Sequence, residues 1–134
     1  MNSGTLGMRN NNPLNIRYNS GNQWQGLTGE NKGFCTFKSR VYGYRAAFVN
    51  MQTYHVAGKD TIREIINKWA PPAENNTAAY ISTVCKASGF SPDVKNNFNF
   101  TNYKKIISAM SVVESAYKPT EAELQAAWDL VTVK

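Results

Sequence analysis

With 134 residues and a hydrophobic fraction of 42%, the chain has the size and apolar content of one domain with one ordinary core. Fifteen Lys and Arg against nine Asp and Glu give a formal charge of +6, which favours an anionic partner. The cations are dispersed, with Lys104-Lys105 the only adjacent pair, so this is not a polybasic tail.

No apolar run approaches the roughly 20 residues of a membrane span. The opening MNSGTLGMRNNN lacks the apolar region of a secretory signal. A chain of this kind is expected to be made in the cytoplasm and released by another route. One histidine, His55, leaves little for a zinc site, and Cys35 and Cys85 lack metal-ligand spacing. They read as two buried free thiols, with one disulfide as the alternative. No metal or cofactor is expected.

Along the chain, residues 1–32 are rich in Asn and Gly and read as irregular, residues 1–8 being a flexible segment. A turn is expected at Asn12-Pro13, a strand at 16–18, and Glu30 in a loop. Residues 33–37 alternate between Gly and Ser boundaries, as a short strand does. Ser39 can cap a first helix with Val41, Tyr44, Phe48, Met51 and His55 on one side, stopped at Gly58. Thr61 and Glu64 form a capping box for a second, which buries Ile62, Ile65, Ile66 and Trp69 and ends before Pro71-Pro72.

A third helix is expected over 74–88, burying Tyr80, Ile81, Val84 and Cys85, with Gly89 as its stop. Residues 91–100 read as a loop. A fourth helix is expected over 102–117, ending before Pro119. The last is capped by Thr120 with Glu123 and buries Leu124, Ala127, Trp128 and Val131. The fold class is therefore mainly α (α+β): about five helices and a small β-element near the N-terminus, in a single domain.

Most of the nine carboxylates have structural uses at helix starts, in loops or on solvated faces. Glu114 differs. It continues the stripe of Tyr103, Ile106, Ile107, Met110 and Val113, and it falls in a last helical turn, where the dipole disfavours an anion. Apolar neighbours and dipole both favour its protonated form, which suits an acid that protonates a glycosidic leaving oxygen. The structural alternative is a rim glutamate bonded to backbone. Glu74, in WAPPAENNT, falls in the expected first turn of the third helix, where its pKa would be lowered. Aromatic residues are numerous, and Trp24 sits in the polar loop NQWQG. Sugar rings stack on such faces, and asparagines match hydroxyl and acetamido groups, although bases stack on aromatics too.

Taken together, RNNNPLNIRY, Trp24 to Gly26, GFCTFKSRVYGYRA and TIREIINKWAPPAENNTAAYISTV resemble a family of phage- and prophage-encoded, lysozyme-like cell-wall lytic proteins, sometimes labelled virion structural proteins. The resemblance covers nearly the whole chain and implies a peptidoglycan-degrading glycosidase, of muramidase or lytic transglycosylase type. VVESAYKP also resembles the catalytic helix end of lytic transglycosylases and glucosaminidases, but there the glutamate precedes segments like NNPLNIR and FCTFKS. The implied arrangement is a circularly permuted lysozyme-like domain, which requires Glu114 to lie near Asn11, Asn12 and Tyr80.

By this resemblance Glu114 is the acid, with Glu74 as its rival; in a hydrolase Glu74 or Glu30 would hold the attacking water. Asn11, Asn12, Trp24, Tyr80, Ser115 and Tyr117 would bind substrate. The partner would be peptidoglycan glycan strands, acted on by a monomer with no nucleic acid involved. A non-catalytic wall-binding or virion module on the same fold is the alternative. A small basic nucleic-acid-binding protein is the weaker one.

Overall fold

A computed structural model describes residues 4–132 and has the expected class, mainly helical with one small sheet. Residues 1–3 of the expected flexible segment lie outside the described residues. The rest of that segment is ordered by local bonds. Leu6–Arg9 forms a short helix, α1, whose first turn is capped by the Thr5 hydroxyl accepting from Met8 N. Gly7 is buried there because the chain passes close to the end of another helix. A Cβ at this position would stand 2.1 Å from Ser115 Oγ and 2.9 Å from the Asn12 carbonyl oxygen.

The sheet is a two-stranded antiparallel hairpin, β1 (Leu27–Asn31) and β2 (Phe34–Phe37). Only β2 was expected. β1 hides in a polar stretch with no alternating apolar residues, and hairpin pairing orders it. Glu30 is thus a strand residue rather than part of a loose loop; its Oε2 accepts from Gly33 N at 2.6 Å across the turn. The strand expected at 16–18 shrinks to a single bridge, Arg17 to Phe34.

Five longer helices carry the core. α2 (Arg40–Val56) buries Tyr44, Phe48 and Met51, and α3 (Ile62–Trp69) buries Ile62, Ile65 and Ile66 behind the expected Thr61–Glu64 capping box. α4 spans Thr77–Ser88 and α5 Phe100–Ser115; α4 buries Tyr80, Ile81 and Val84, and α5 buries Tyr103, Ile106, Ile107 and Met110, but the expected stripe of α5 stops short of Val113, which is exposed near the helix end. α6 (Glu121–Thr132) begins with reciprocal bonds between Thr120 and Glu123 at 3.1 Å each. α2 lies along α6, and α4 lies along α5. Gly43 allows the Asn-rich segment to close on α2, since a Cβ there would stand 2.5 Å from the Asn11 carbonyl oxygen.

Two helix boundaries differ from expectation. α4 starts at Thr77, not at 74, because Asn76 is its cap and accepts from Ala79 N. The chain from Pro71 to Asn75 is a turn. α5 starts two residues earlier than expected and ends two earlier, at Ser115, where Ala116 adopts a left-handed conformation (φ 55°). Both cysteines are free, Cys35 buried and Cys85 half-buried. Among the described residues no helix is long and apolar enough to cross a membrane.

Candidate active site

Glu114 occupies the last turn of α5, and the irregular N-terminal segment is tied to that turn by several bonds. Ser115 Oγ donates to the Pro13 carbonyl at 2.7 Å, and Thr5 Oγ1 donates to the Ser115 carbonyl at 3.0 Å. Asn15 Nδ2 donates to the Glu114 carbonyl at 3.0 Å and to its Oε1 at 3.3 Å. Asn15 does this with φ at 53°, a left-handed conformation that asparagine tolerates better than most residues. From α4, Tyr80 donates its hydroxyl to Glu114 Oε2 at 2.9 Å. Residues from opposite ends of the sequence thus meet at one carboxyl.

Glu114 opens onto a cleft of about 340 Å³. Its walls come from the N-terminal segment (Asn15, Arg17), from Phe34 of β2, from Trp69 at the end of α3, and from Glu74 and Asn75 in the following turn. Aromatic faces, amide groups and two carboxyls around one concavity make a suitable lining for a polar ring-shaped ligand.

The electrostatics of Glu114 follow from its surroundings. Burial pushes its carboxyl above the ordinary carboxylate range. The donors Asn15, Tyr80 and Trp69, and the charge of Arg17, pull the other way and do not overcome burial. Tyr80 is likewise pushed up, first by its own burial and then by the neighbouring Glu114. The outcome is a carboxyl poised toward its neutral form, with neutral donors fixing its orientation.

Glu74 lies on the same cleft but in a different setting. It precedes the N-cap of α4 and so lies outside the helix in whose first turn it was expected. Its side chain is 74% exposed and stands 4.0 Å from Arg17 Nη2.

The other expected substrate-binding residues are used elsewhere. Asn12 is completely buried. Its Nδ2 donates to the carbonyls of Ile16 and Cys35, and its Oδ1 accepts from Ile16 N, which shapes the loop internally. Asn11 donates to the Phe37 carbonyl and faces the hairpin rather than the cleft. Ser115 is 2% exposed and serves as a tie. Tyr117 donates to Glu123 Oε1 at 2.7 Å beneath the Arg40 guanidinium, away from the cleft. Trp24 packs against the hydrophobic core.

Of the expected set, Glu114, Glu74 and Tyr80 meet at the site. Asn15, Arg17, Phe34, Trp69 and Asn75 were missed. Asn15 and Arg17 lie within NNPLNIR, and nothing local in that segment distinguishes Asn15 from its neighbouring asparagines. Trp69 was assigned wholly to the core on helical periodicity. Among the described residues no group of His, Cys, Asp and Glu could hold a metal ion.

No family model matches the chain. It is 39% identical over 124 residues to Protein P5 of Pseudoalteromonas phage PM2, an alignment covering 89% of this chain and 76% of the phage protein. Similarity of that extent, across most of both proteins, places the chain in the family of the phage PM2 Protein P5.

Proposed function

We propose that this protein is a lysozyme-like glycosidase that cleaves the β-1,4 bond between amino sugars of peptidoglycan, with Glu114 as general acid. The observation that carries the reading is the setting of Glu114: a carboxyl raised by burial, opening onto a cleft with aromatic and amide walls. A glycosidic leaving oxygen needs a proton near neutral pH, and a carboxyl of raised pKa can supply it. Tyr80 and Asn15 hold the two carboxyl oxygens, so the proton is presented in a fixed direction.

Trp69 offers a face for a sugar ring, and Asn75 offers an amide for hydroxyl or acetamido groups. Glu74, exposed on the same cleft, suits the role of holding a water in a hydrolase. In a transglycosylase it would be dispensable, because the sugar's own 6-hydroxyl attacks and Glu114 takes up that proton. The bonds from Tyr80 and from Asn15 of NNPLNIR to the glutamate at the end of α5 support a circularly permuted lysozyme-like arrangement, with Asn15 at the acid in place of the expected Asn11 and Asn12. A phage relative suits an enzyme that opens a bacterial wall.

The test is incubation of purified peptidoglycan with wild type, Glu114→Gln and Glu74→Gln, followed by mass spectrometry of soluble fragments. Anhydro-sugar ends from wild type, lost in Glu114→Gln and kept in Glu74→Gln, identify a transglycosylase. Reducing ends lost in both variants identify a hydrolase that uses both acids. Folded wild type that releases nothing, yet sediments with the wall, is a binding or virion module and sinks the catalytic reading.

A further inference from the structure

We propose that Arg17 determines the specificity of this cleft by taking a carboxylate carried on the glycan beside the scissile bond, so that acid-bearing amino-sugar strands are selected over neutral ones. This rests on the glycosidase reading and deepens it, since it names the substituent that the strand must carry.

Arg17 is the one cation among the described residues that line the cleft holding Glu114. Its backbone is fixed by the bridge to Phe34, and its guanidinium lies 5.2 Å from the centre of the Phe34 ring. A guanidinium held over an aromatic ring can still present its donors to a carboxylate.

Among the described residues no carboxylate makes a close contact with Arg17. Glu74 stands at 4.0 Å, the outer limit of an ion pair, and both side chains are about three-quarters exposed. The contrast with the other arginine pairs is instructive. Arg40 meets Glu123 at 2.7 Å, and Arg63 grips Asp93 through two bonds of 2.7 and 3.1 Å. Those guanidinium groups are engaged, whereas that of Arg17 can change partners at little loss.

The chemistry of the strand supplies the complementary group. Muramic sugars carry a lactyl acid, free in peptide-stripped strands, and attached peptides bring carboxylates of their own. A polymer of N-acetylglucosamine alone has neither. Arg17 also lies close enough to Glu114 for its charge to oppose the effect of burial. A substrate carboxylate seated on Arg17 would screen that charge and leave the acid readier to hold its proton.

The test measures binding rather than turnover, in full-length protein carrying Glu114→Gln. Titration calorimetry is run with peptide-stripped strands and with peptide-bearing strands, each before and after methyl esterification of its carboxylates. With Arg17 present, esterification should weaken binding about two- to fivefold, the scale of one exposed charge pair. In Arg17→Ala that ratio should collapse toward one, and Arg17→Lys should fall between. The strand type in which the ratio appears identifies the lactyl acid or the peptide as source.

A ratio that is the same with and without Arg17, or that is absent altogether, overturns the proposal, while cleavage by wild type leaves the glycosidase reading standing. No binding to any strand and no cleavage overturns both. Arg17 is exposed, so the Ala variant should fold, and matching thermal unfolding curves check this.

Discussion

Two glutamates near the C-terminal end of the chain receive similar partners and titrate in opposite directions. Glu114 and Glu123 each accept a tyrosine hydroxyl, from Tyr80 at 2.9 Å and Tyr117 at 2.7 Å, and each is pushed upward by burial. At Glu123 that push is outweighed. Tyr117, the Thr120 backbone N–H and the Arg40 guanidinium together hold its carboxyl below the ordinary range. At Glu114 the donors in contact are neutral, Arg17 acts only through its field, and burial prevails. A full charge in contact commits a carboxylate to structure. Neutral donors orient a carboxyl without fixing its charge, which is what proton transfer requires.

The largest effects separate these two roles. On the proposed glycosidase reading, Glu114→Gln should lower glycan cleavage by about 10²- to 10⁴-fold, the usual worth of a positioned acid, with the protein still folded. Glu123→Ala should do the reverse. It removes the α6 capping box and leaves the Arg40 guanidinium and the Tyr117 hydroxyl without their acceptor. The loss should be about 2–3 kcal/mol in urea unfolding, with cleavage per folded molecule retained. If Glu123→Ala loses cleavage at unchanged stability, the division of labour fails.

The helical frame was legible because its signals are local. Thr61 with Glu64 and Thr120 with Glu123 declare two helix starts, Gly89 declares an end, and the apolar stripes indicate the buried faces. The same stripe marked Glu114. What the sequence hid depends on contacts between distant segments. β1 has little apolar pattern and exists by pairing with β2. Asn11, Asn12 and Asn15 look equivalent in RNNNPLNIR, and only the folded path turns Asn12 inward and Asn15 toward the acid. Gly7 and Gly43 matter because other chain segments pass close to them, which no local reading reveals. Asn76 caps α4, which leaves Glu74, expected in its first turn, outside the helix.

The comparison also makes a prediction of opposite slopes in stability against pH. The folded state holds the Glu114 proton more tightly than the unfolded chain, so its penalty is absent below the unfolded carboxyl range. That penalty develops as pH rises and is complete above the folded pKa. The stability of Glu114→Gln minus that of wild type should therefore increase from acid to neutral pH, whatever fixed offset the amide brings. Glu123 has a lowered folded pKa, so its contribution is present above the unfolded range and disappears as pH falls through the folded value. The stability of Glu123→Gln minus that of wild type should therefore decrease from acid to neutral pH. Urea unfolding at several pH values reads both slopes, and slopes of the same sign would remove the distinction between the two sites.

The smallest expected effect is also the most specific to the cleft. Tyr80→Phe removes one donor from Glu114 and leaves the ring in place. That donor stabilises the anion and partly opposes burial, so its loss should raise the Glu114 pKa further. A general acid works in its protonated form, and activity falls as pH rises through its pKa. The alkaline limb of kcat/KM should thus move to higher pH in Tyr80→Phe, even if the rate at the optimum drops because the acid is less firmly oriented. The limb position is the informative quantity, since a merely structural tyrosine would lower the whole profile without displacing it. A displacement to lower pH would mean that the hydroxyl favours the neutral acid, and the balance assigned to Glu114 would then be wrong.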